Sequence, residues 1–477
     1  MSKNRTTSDL LLELDGRHER SRRERLLGAL RDGIRSGRLD AGAALPSTRS
    51  LAADLGLSRG LVVDAYDQLV AEGYLVSRQG SGTRVADGIG GRVSRPPPPS
   101  PPSSPSGRGW RVDFEPGNPD LAAFPRSRWA SAIRAAAAEL TDAELAYRDA
   151  EGDEALRIEL ADYLGRVRGA DCRAEDVRIV GGFTNGLGLL GRALWADGNT
   201  TVAVEDPGPY VQRDNLRAAG AGITPVRVDT EGVLVDRLSG SGADVVIVTP
   251  AHQYPTGAVL SPARRAELID WAVASPGRLI VEDDYDAEFR YDRSPIGSVQ
   301  GLAPDRVVMG GSVSKSLLPS LGIGWLVVPP GLAEPVTDRI RTEHLRPSIF
   351  DQRALARLLS TGRYDRHIRT MRAAYQAKRD LLLEALAAID GIEVAGVSAG
   401  LQVLVWLPDG VDVGAVVARA AADGVRIPDL ARYRVATDDP SHPARPGVVI
   451  GYAHLTSAQI ADGVDVIGAV LATDVTG

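Results

Sequence analysis

Lys315 stands in GGSVSKSLLPSLGIGW (310–325), and only three of the chain's 55 lysines and arginines are lysine. A chain that otherwise takes its positive charge from arginine uses lysine here for something arginine cannot do. An amine can lose its proton when its surroundings favour the neutral form, and it can then form a Schiff base with an aldehyde. Other residues supply matching chemistry. Asp283 follows the apolar run Leu279, Ile280 and Val281, where a carboxylate can keep a ring nitrogen protonated. Tyr285, two residues on, projects to the same side and can donate to a phenolic oxygen. GGFTNG (181–186) puts Gly182, Phe183 and Thr184 at a strand-to-helix turn whose N–H groups suit a phosphate, and Ser312 and Ser314 add hydroxyls. Tyr210, in EDPGPY, offers a flat aromatic face. A lysine, an acid for a pyridinium nitrogen and a phosphate cradle are what pyridoxal 5'-phosphate requires of a protein, so that cofactor is expected.

Each of these pieces has a plain reading when taken alone: a solvated lysine, a polar strand end, an ordinary glycine turn. What joins them is that each follows a buried β-branched run. The runs lie in VRIVGGFTNGLGLLGRAL, TVAVEDPGPY, DVVIVTPAHQYPTG, RLIVEDDYDAEF and VVMGGSVSKSL. Strands alternating with helical patterns predict an open, mostly parallel α/β sheet, with ligands bound beyond the carboxyl ends of its strands. From about residue 330, arginine-rich amphipathic helices lead to a smaller α/β region around GIEVAGVSAGLQVLVWL and GVVIGYAHL.

At 477 residues the chain is expected to hold two or three domains. A single cysteine, Cys172, excludes an intramolecular disulfide framework, and no apolar run approaches the roughly 20 residues of a membrane span. The expectation is a cytoplasmic chain with no membrane partner. Net charge is −7, but residues 1–95 carry 16 basic against 12 acidic residues and the remainder 39 against 50. A basic front on an acidic body points to nucleic acid binding by the front alone. Residues 88–109 hold seven prolines among glycine and serine and read as a semi-rigid spacer. The expected divisions are a tail at 1–20, a module at 21–87, this linker at 88–109 and a body at 110–477. In the module, Leu26, Leu30 and Ile34 mark one amphipathic helix. TRSLAADLGLSRGLVVDAYDQLVAEG reads as two more helices joined at Gly56, with Ser58 as N-cap and a stripe of Leu61, Val62, Ala65, Leu69 and Val70. YLVSRQGSGTRV then reads as a two-stranded wing turning at 79–82. Such a module sets its last helix in the major groove, with Arg49, Ser58 and Arg59 near the DNA and Arg78 and Arg84 flanking the wing.

The stretch from about Arg22 to Val85 resembles the GntR-type winged helix, in GRLDAGAALPSTRSLA, LGLSRGLVVDAYDQL and AEGYLVSRQGSGTRVA. That resemblance implies contacts to a double-stranded operator from Arg49, Ser58, Arg59 and the wing residues Gly80, Ser81 and Thr83. Residues 110–477 resemble the fold-type I aminotransferases, and the two-part chain resembles the MocR/GabR regulators. FEPGNPDLAAFP, AYRDAEGDEALR, TPAHQYPTG, VEDDYDAEFRY, SVSKSLLPSLGIGW and RHIRTMRAAYQAKRD carry the likeness. It implies Lys315 as the Schiff-base lysine, Asp283 as the ring-nitrogen partner, Tyr285 as the O3′ partner and Tyr210 in the ring-stacking place. Tyr254 falls where plain aminotransferases carry the asparagine of their NPTG motif. It further implies a head-to-tail homodimer that senses pyridoxal phosphate, or an amino compound as its aldimine, without sustained turnover. A working aminotransferase carrying a DNA-binding module, and a regulator whose body has lost the cofactor, are the alternatives. Two departures stand out. Gly322 occupies the position, seven after the lysine, where relatives carry an arginine that grips the cofactor phosphate. Losing such a charge-assisted bond weakens binding by roughly 1.5–3 kcal/mol unless another group compensates. Val449 falls where amino-acid-handling relatives carry a carboxylate-binding arginine, for which Arg445 or Arg426 are the candidate substitutes.

Overall fold

The computed structural model describes residues 21–78, 82–88, 109–146, 149–194, 200–291, 296–396, 398–435 and 445–474. The chain divides into two compact units, Met1–Arg108 and Gly109–Gly477.

The first unit packs helices α1 (Arg22–Arg35), α2 (Thr48–Leu55) and α3 (Arg59–Ala71) with an antiparallel pair, β1 (Leu75–Arg78) and β2 (Gly82–Val85). A serine starts each helix. Ser21 forms a capping box with Glu24, Ser47 accepts from the Ser50 N–H, and Ser58 accepts from the Leu61 N–H. Gly56 ends α2 at φ 63°, a left-handed turn that glycine makes without steric cost. Leu26, Leu30 and Ile34 are buried with Leu51, Val62, Ala65, Leu69, Leu75 and Val85. The expected stripe on α3 needs one correction. Val70 is 36 % exposed, whereas Tyr66 is buried and its hydroxyl donates to the Pro46 carbonyl at 3.0 Å. Tyrosine serves in that stripe because its polar tip has a partner.

The second unit is built on a sheet in the order β4 (Val177–Val180), β11 (Gly324–Val327), β10 (Val307–Ser312), β9 (Leu279–Asp283), β8 (Val245–Val248), β5 (Thr201–Asp206), β6 (Gly222–Asp229) and β7 (Gly232–Val233). Strands β5, β6, β8, β9 and β10 are parallel neighbours, whereas β11 runs antiparallel to both β10 and β4. Strand β4 therefore runs the same way as β10, and the five loops singled out in the sequence leave one edge of one sheet. Alternate residues serve opposite faces. Val245 and Ile247 pack in one core with Leu279 and Val281, and Val246, Val248 and Ile280 pack in another. Burial on both faces is what a run such as VVIV requires.

The smaller C-terminal region holds the antiparallel sheet β12 (Glu393–Ala395), β13 (Gln402–Trp406) and β15 (Gly447–Gly451). The start of the unit returns to it: β3 (Val112–Asp113) pairs in parallel with β14 (Val425–Arg426). That pairing brings residues 114–117 to the front of the large sheet and gives the site a wall that no local pattern announces. Among the described residues, no helix is long and apolar enough to cross a membrane.

Candidate cofactor-binding site

Beyond the carboxyl ends of the strands lies a cleft of about 350 Å3. All ten residues expected at a cofactor line it: Lys315, Asp283, Tyr285, Tyr210 and Tyr254, then Gly182, Phe183, Thr184, Ser312 and Ser314. Lys315 lies three residues past β10, and its Nζ donates to the Gly117 carbonyl at 2.5 Å. Gly117 has φ 86°, and a Cβ there would come within 2.9 Å of Nζ, so glycine makes room for the amine. Burial holds that amine below its ordinary lysine range, against the pull of Asp283 and Asp286. Asp283 closes β9. Burial pushes its carboxyl up to about 8, while the hydrogen bond from Gln212 at 2.5 Å pulls the other way. Its other oxygen, Oδ1, is buried without a hydrogen-bond partner.

The opposite end of the cleft is a strand-to-helix turn. Strand β4 ends at Val180, Gly182 turns at φ 108°, and the helix Phe183–Leu194 begins within the lining, its first residues Phe183, Thr184 and Asn185 facing the cleft. Glycines let three backbones close up behind it. A Cβ at Gly310 would lie 2.4 Å from the Phe183 ring, and one at Gly324 would lie 2.6 Å from the Gly182 Cα. Ser312 and Ser314 are joined by the Ser314 N–H donating to the Ser312 hydroxyl at 3.4 Å. Tyrosines form the third wall. Tyr254 meets Tyr285 edge to face at 5.7 Å and Tyr433 at 5.5 Å, and Tyr210 meets Tyr433 at 6.0 Å. The Arg432 guanidinium lies 4.2 Å over the Tyr210 ring while holding Glu115 at 3.0 Å.

These residues fit the cofactor inferred from the sequence. An unpaired buried carboxylate oxygen matches a ring N–H, a shielded amine matches an aldehyde, and a glycine turn at a twelve-residue helix matches a phosphate. Residues 112–467 match the family aminotransferase class I and II, and residues 22–85 match bacterial regulatory proteins, gntR family. The probable rhizopine catabolism regulatory protein MocR of Rhizobium meliloti is 32 % identical over 481 residues, 95 % of this chain and 94 % of that one. The chain belongs to the MocR-type transcriptional regulators. Another similar member, the pyridoxine biosynthesis transcriptional regulator PdxR of Corynebacterium glutamicum, is 32 % identical over 93 % of this chain and 95 % of its own. In fold, the body resembles the Pyrococcus horikoshii kynurenine aminotransferase at a TM-score of 0.70, with 24 % identity over 77 % of this chain and 92 % of that one. The architecture is thus a gntR-type winged helix followed by a fold-type I aminotransferase body.

Within this family frame, both departures have a structural setting. Gly322 sits at φ 57° after the turn Pro319–Leu321 and does not line the cleft. Among the described residues that do line it, Lys315 is the only cation. Val449 is fully buried in β15 beside Leu404, packed under Tyr210 and Tyr254. Neither suggested substitute reaches the cleft. Arg426 pairs with Glu115 at 2.6 Å and Asp113 at 3.5 Å, and Arg445 pairs with Glu393 at 2.6 Å and stacks on Trp406. Both are held by acids that a linear reading does not place beside them.

Gln212, Gln402 and the stretch Glu115 to Gly117 also line the cleft and were not anticipated as site residues. The sequence offers Glu115 to Gly117 only within the family-like FEPGNPD, and Gln402 only within the strand pattern GLQVLVWL.

In the first unit, Arg49, Ser58 and Arg59 are exposed around the starts of α2 and α3. Arg78 is exposed on β1 and Thr83 is half-buried on β2, opposite Ser77. Gly80 and Ser81 lie outside the described residues.

Proposed function

We propose that this chain regulates transcription by binding an operator through its winged helix and pyridoxal 5'-phosphate, alone or joined to an amino compound, through its body. In the cleft, Lys315 would hold the aldehyde carbon and Asp283 the ring nitrogen. Tyr285 would donate to the phenolic oxygen, with Tyr210 on the ring face and Tyr254 beside it. The N–H groups of Gly182, Phe183 and Thr184, with the Ser312 and Ser314 hydroxyls, would receive the phosphate. The cofactor supplies an aldehyde that captures amines and a ring that withdraws electrons from them.

The observation that carries this reading is one cleft lined by both a shielded amine and a half-unpaired buried carboxyl. The pyridoxine-related name of the Corynebacterium relative supports the cofactor itself as the signal. Val449, in place of a carboxylate-binding arginine, and a lining whose described residues include no arginine favour sensing over sustained turnover. Arg49, Ser58, Arg59, Arg78, Gly80, Ser81 and Thr83 would contact the operator. The assembly in this reading is a homodimer, head to tail as the family resemblance implies, and paired winged helices match a paired operator.

The test is to add pyridoxal phosphate to the full chain and record absorbance and operator binding. The expected result is a visible band and a changed operator affinity, with the band lost in Lys315→Ala. An unchanged spectrum at saturating cofactor would sink the proposal.

A further inference from the structure

Behind Tyr285 lies a polar group that the cofactor reading does not use. His252 and Asp286 are each 1 % exposed and do not line the cleft. The His252 Nδ1 is 2.8 Å from the Asp286 Oδ2 and 2.9 Å from the Tyr285 Oη. On the cleft side, the Gln402 Nε2 donates to the same Tyr285 oxygen at 3.0 Å. The imidazole has no room to turn. A Cβ at Gly400, which has φ 87°, would lie 2.3 Å from the His252 Cε1 and 2.7 Å from the Asp286 Oδ2. One at Gly257, φ 74°, would lie 3.0 Å from the His252 Nε2. Two glycines in the left-handed region therefore form a cage shaped to this ring.

The distances decide where the proton sits. A carboxylate only accepts, so an unprotonated Nδ1 would set two acceptors 2.8 Å apart. The alternative tautomer would also bury an Nε2–H with nothing to receive it, since Nε2 has no partner. Both conflicts disappear when the proton is on Nδ1, donating to Asp286 and shared with the Tyr285 oxygen. The phenol oxygen then accepts from two sides, from Gln402 and from His252; Asp286 also lies within reach of the phenol proton but already receives the His252 N–H, which leaves the cleft as the open direction for that proton.

We propose that His252 and Asp286 are positioning residues that, with Gln402, turn the Tyr285 hydroxyl so that its proton points into the cleft as a committed hydrogen-bond donor. The group this donor serves is a phenolate-like oxygen on the ligand, so the inference rests on the cofactor reading above and deepens it. Asp286 sets the tautomer, His252 occupies the rear of the phenol oxygen, and Tyr285 delivers the proton. A simple filler role for His252 and Asp286 predicts no dependence on Tyr285.

Two measurements test this. In the full chain labelled with 15N-histidine, which has six histidines, the His252 ring is assigned by its loss in His252→Gln. The expected signature, before any cofactor is added, is a protonated Nδ1 and a bare Nε2. A ring protonated on Nε2 alone overturns the proposal, and this arm stands even where Asp286→Asn fails to fold. The second measurement compares pyridoxal phosphate affinity and band position across Asp286→Asn, Tyr285→Phe and the double variant. Each single change weakens binding by up to roughly tenfold, the range of one hydrogen bond. The double variant is no weaker than Tyr285→Phe, because Asp286 acts through that hydroxyl. Equal and additive losses overturn the proposal. A wild-type chain that takes up no pyridoxal phosphate sinks the cofactor reading instead, while the histidine spectrum still decides the tautomer.

Discussion

At the scale of single residues, the loop 310–325 brings together the chain's best reason to bind a phosphorylated aldehyde and its main departure from relatives that do. Lys315 is shielded and aimed across the cleft at Gly117, whereas seven residues on Gly322 offers no side chain. A Cβ at Gly322 meets nothing within 4 Å, so the space for a longer residue exists. Gly324, two residues further, lies against the Gly182 turn, so an arginine at 322 is within side-chain reach of the proposed phosphate cradle. Its two consequences separate cleanly. A charge-assisted bond to phosphate strengthens cofactor binding by about 1.5–3 kcal/mol. Left-handed strain at φ 57° costs about 1–2 kcal/mol in free and bound forms alike, so it lowers stability and leaves affinity untouched. Gly322→Arg is therefore expected to bind pyridoxal phosphate roughly tenfold tighter or more while melting at a lower temperature. A titration of the visible band together with a thermal melt checks both, and unchanged affinity would mean that the backbone N–H groups already saturate the phosphate.

At the scale of elements, strand β9 and the turn after it read EDDYD, and each acid has its own solution. Glu282 accepts from the N–H groups of Val299 and Gln300, Asp283 from Gln212, Asp284 from Arg168 in a buried two-point pair, and Asp286 from His252. Strand alternation turns Asp283 and Tyr285 to the cleft and Glu282 and Asp284 away from it. This crowding has a pH signature. Burial raises Glu205, Glu282 and Glu288 to about 7 and Asp283 to about 8. The folded body thus holds protons that the unfolded chain has already released, so stability is lost as pH rises through these values. His367 and His454, lowered by burial, act in the opposite direction only below about pH 6.5. Between pH 6.5 and 8 the acids dominate, opposed by the buried Lys315 amine, whose lowered proton affinity favours the fold as pH rises, and the body is expected to lose at most about 4 kcal/mol. Thermal melts of the cofactor-free chain at the two pH values read this directly, and equal melting would show that these carboxyls ionise freely. The same elements mark what a linear reading reaches. Apolar runs ending in Gly, Asp or Ser locate the strand ends and hence the ten lining residues, because that signal is local. Gln212 is 71 residues from Asp283, Gly117 is 198 from Lys315, and Gln402 is 117 from Tyr285. Partners at such separations are set by sheet order and by the return of β3 to β14, for which no local pattern exists.

At the scale of the whole molecule, the chain joins two units that fold on separate cores. The winged helix is closed by residues between Leu26 and Val85, and the body's core clusters begin at Val112; among the described residues, no buried residue belongs to both. Between them run the seven prolines of 88–109, a segment whose composition gives it no means of burying a core. Charge divides the same way, with a basic excess in 1–95 and an acidic excess in the remainder. The operator-binding and cofactor-binding properties should therefore come apart physically, and regulation in the proposed dimer is a matter of how two bodies set the spacing of two weak DNA readers. One winged helix makes few phosphate contacts. Two held together gain the effective concentration of a tether, which raises affinity by roughly 10²–10⁴ without any new contact. The expected outcome is asymmetric. The body alone, residues 109–477, keeps the visible band and binds pyridoxal phosphate within about twofold of the full chain, as independent units do. The module alone loses at least about a hundredfold in operator affinity. Parallel cofactor titration of the full chain and the isolated body, with operator binding by the full chain and the isolated module at fixed salt, measures both halves. A body that loses its cofactor band once residues 1–108 are removed would show that the cleft depends on the DNA-binding unit, and the argument from separate cores would fail.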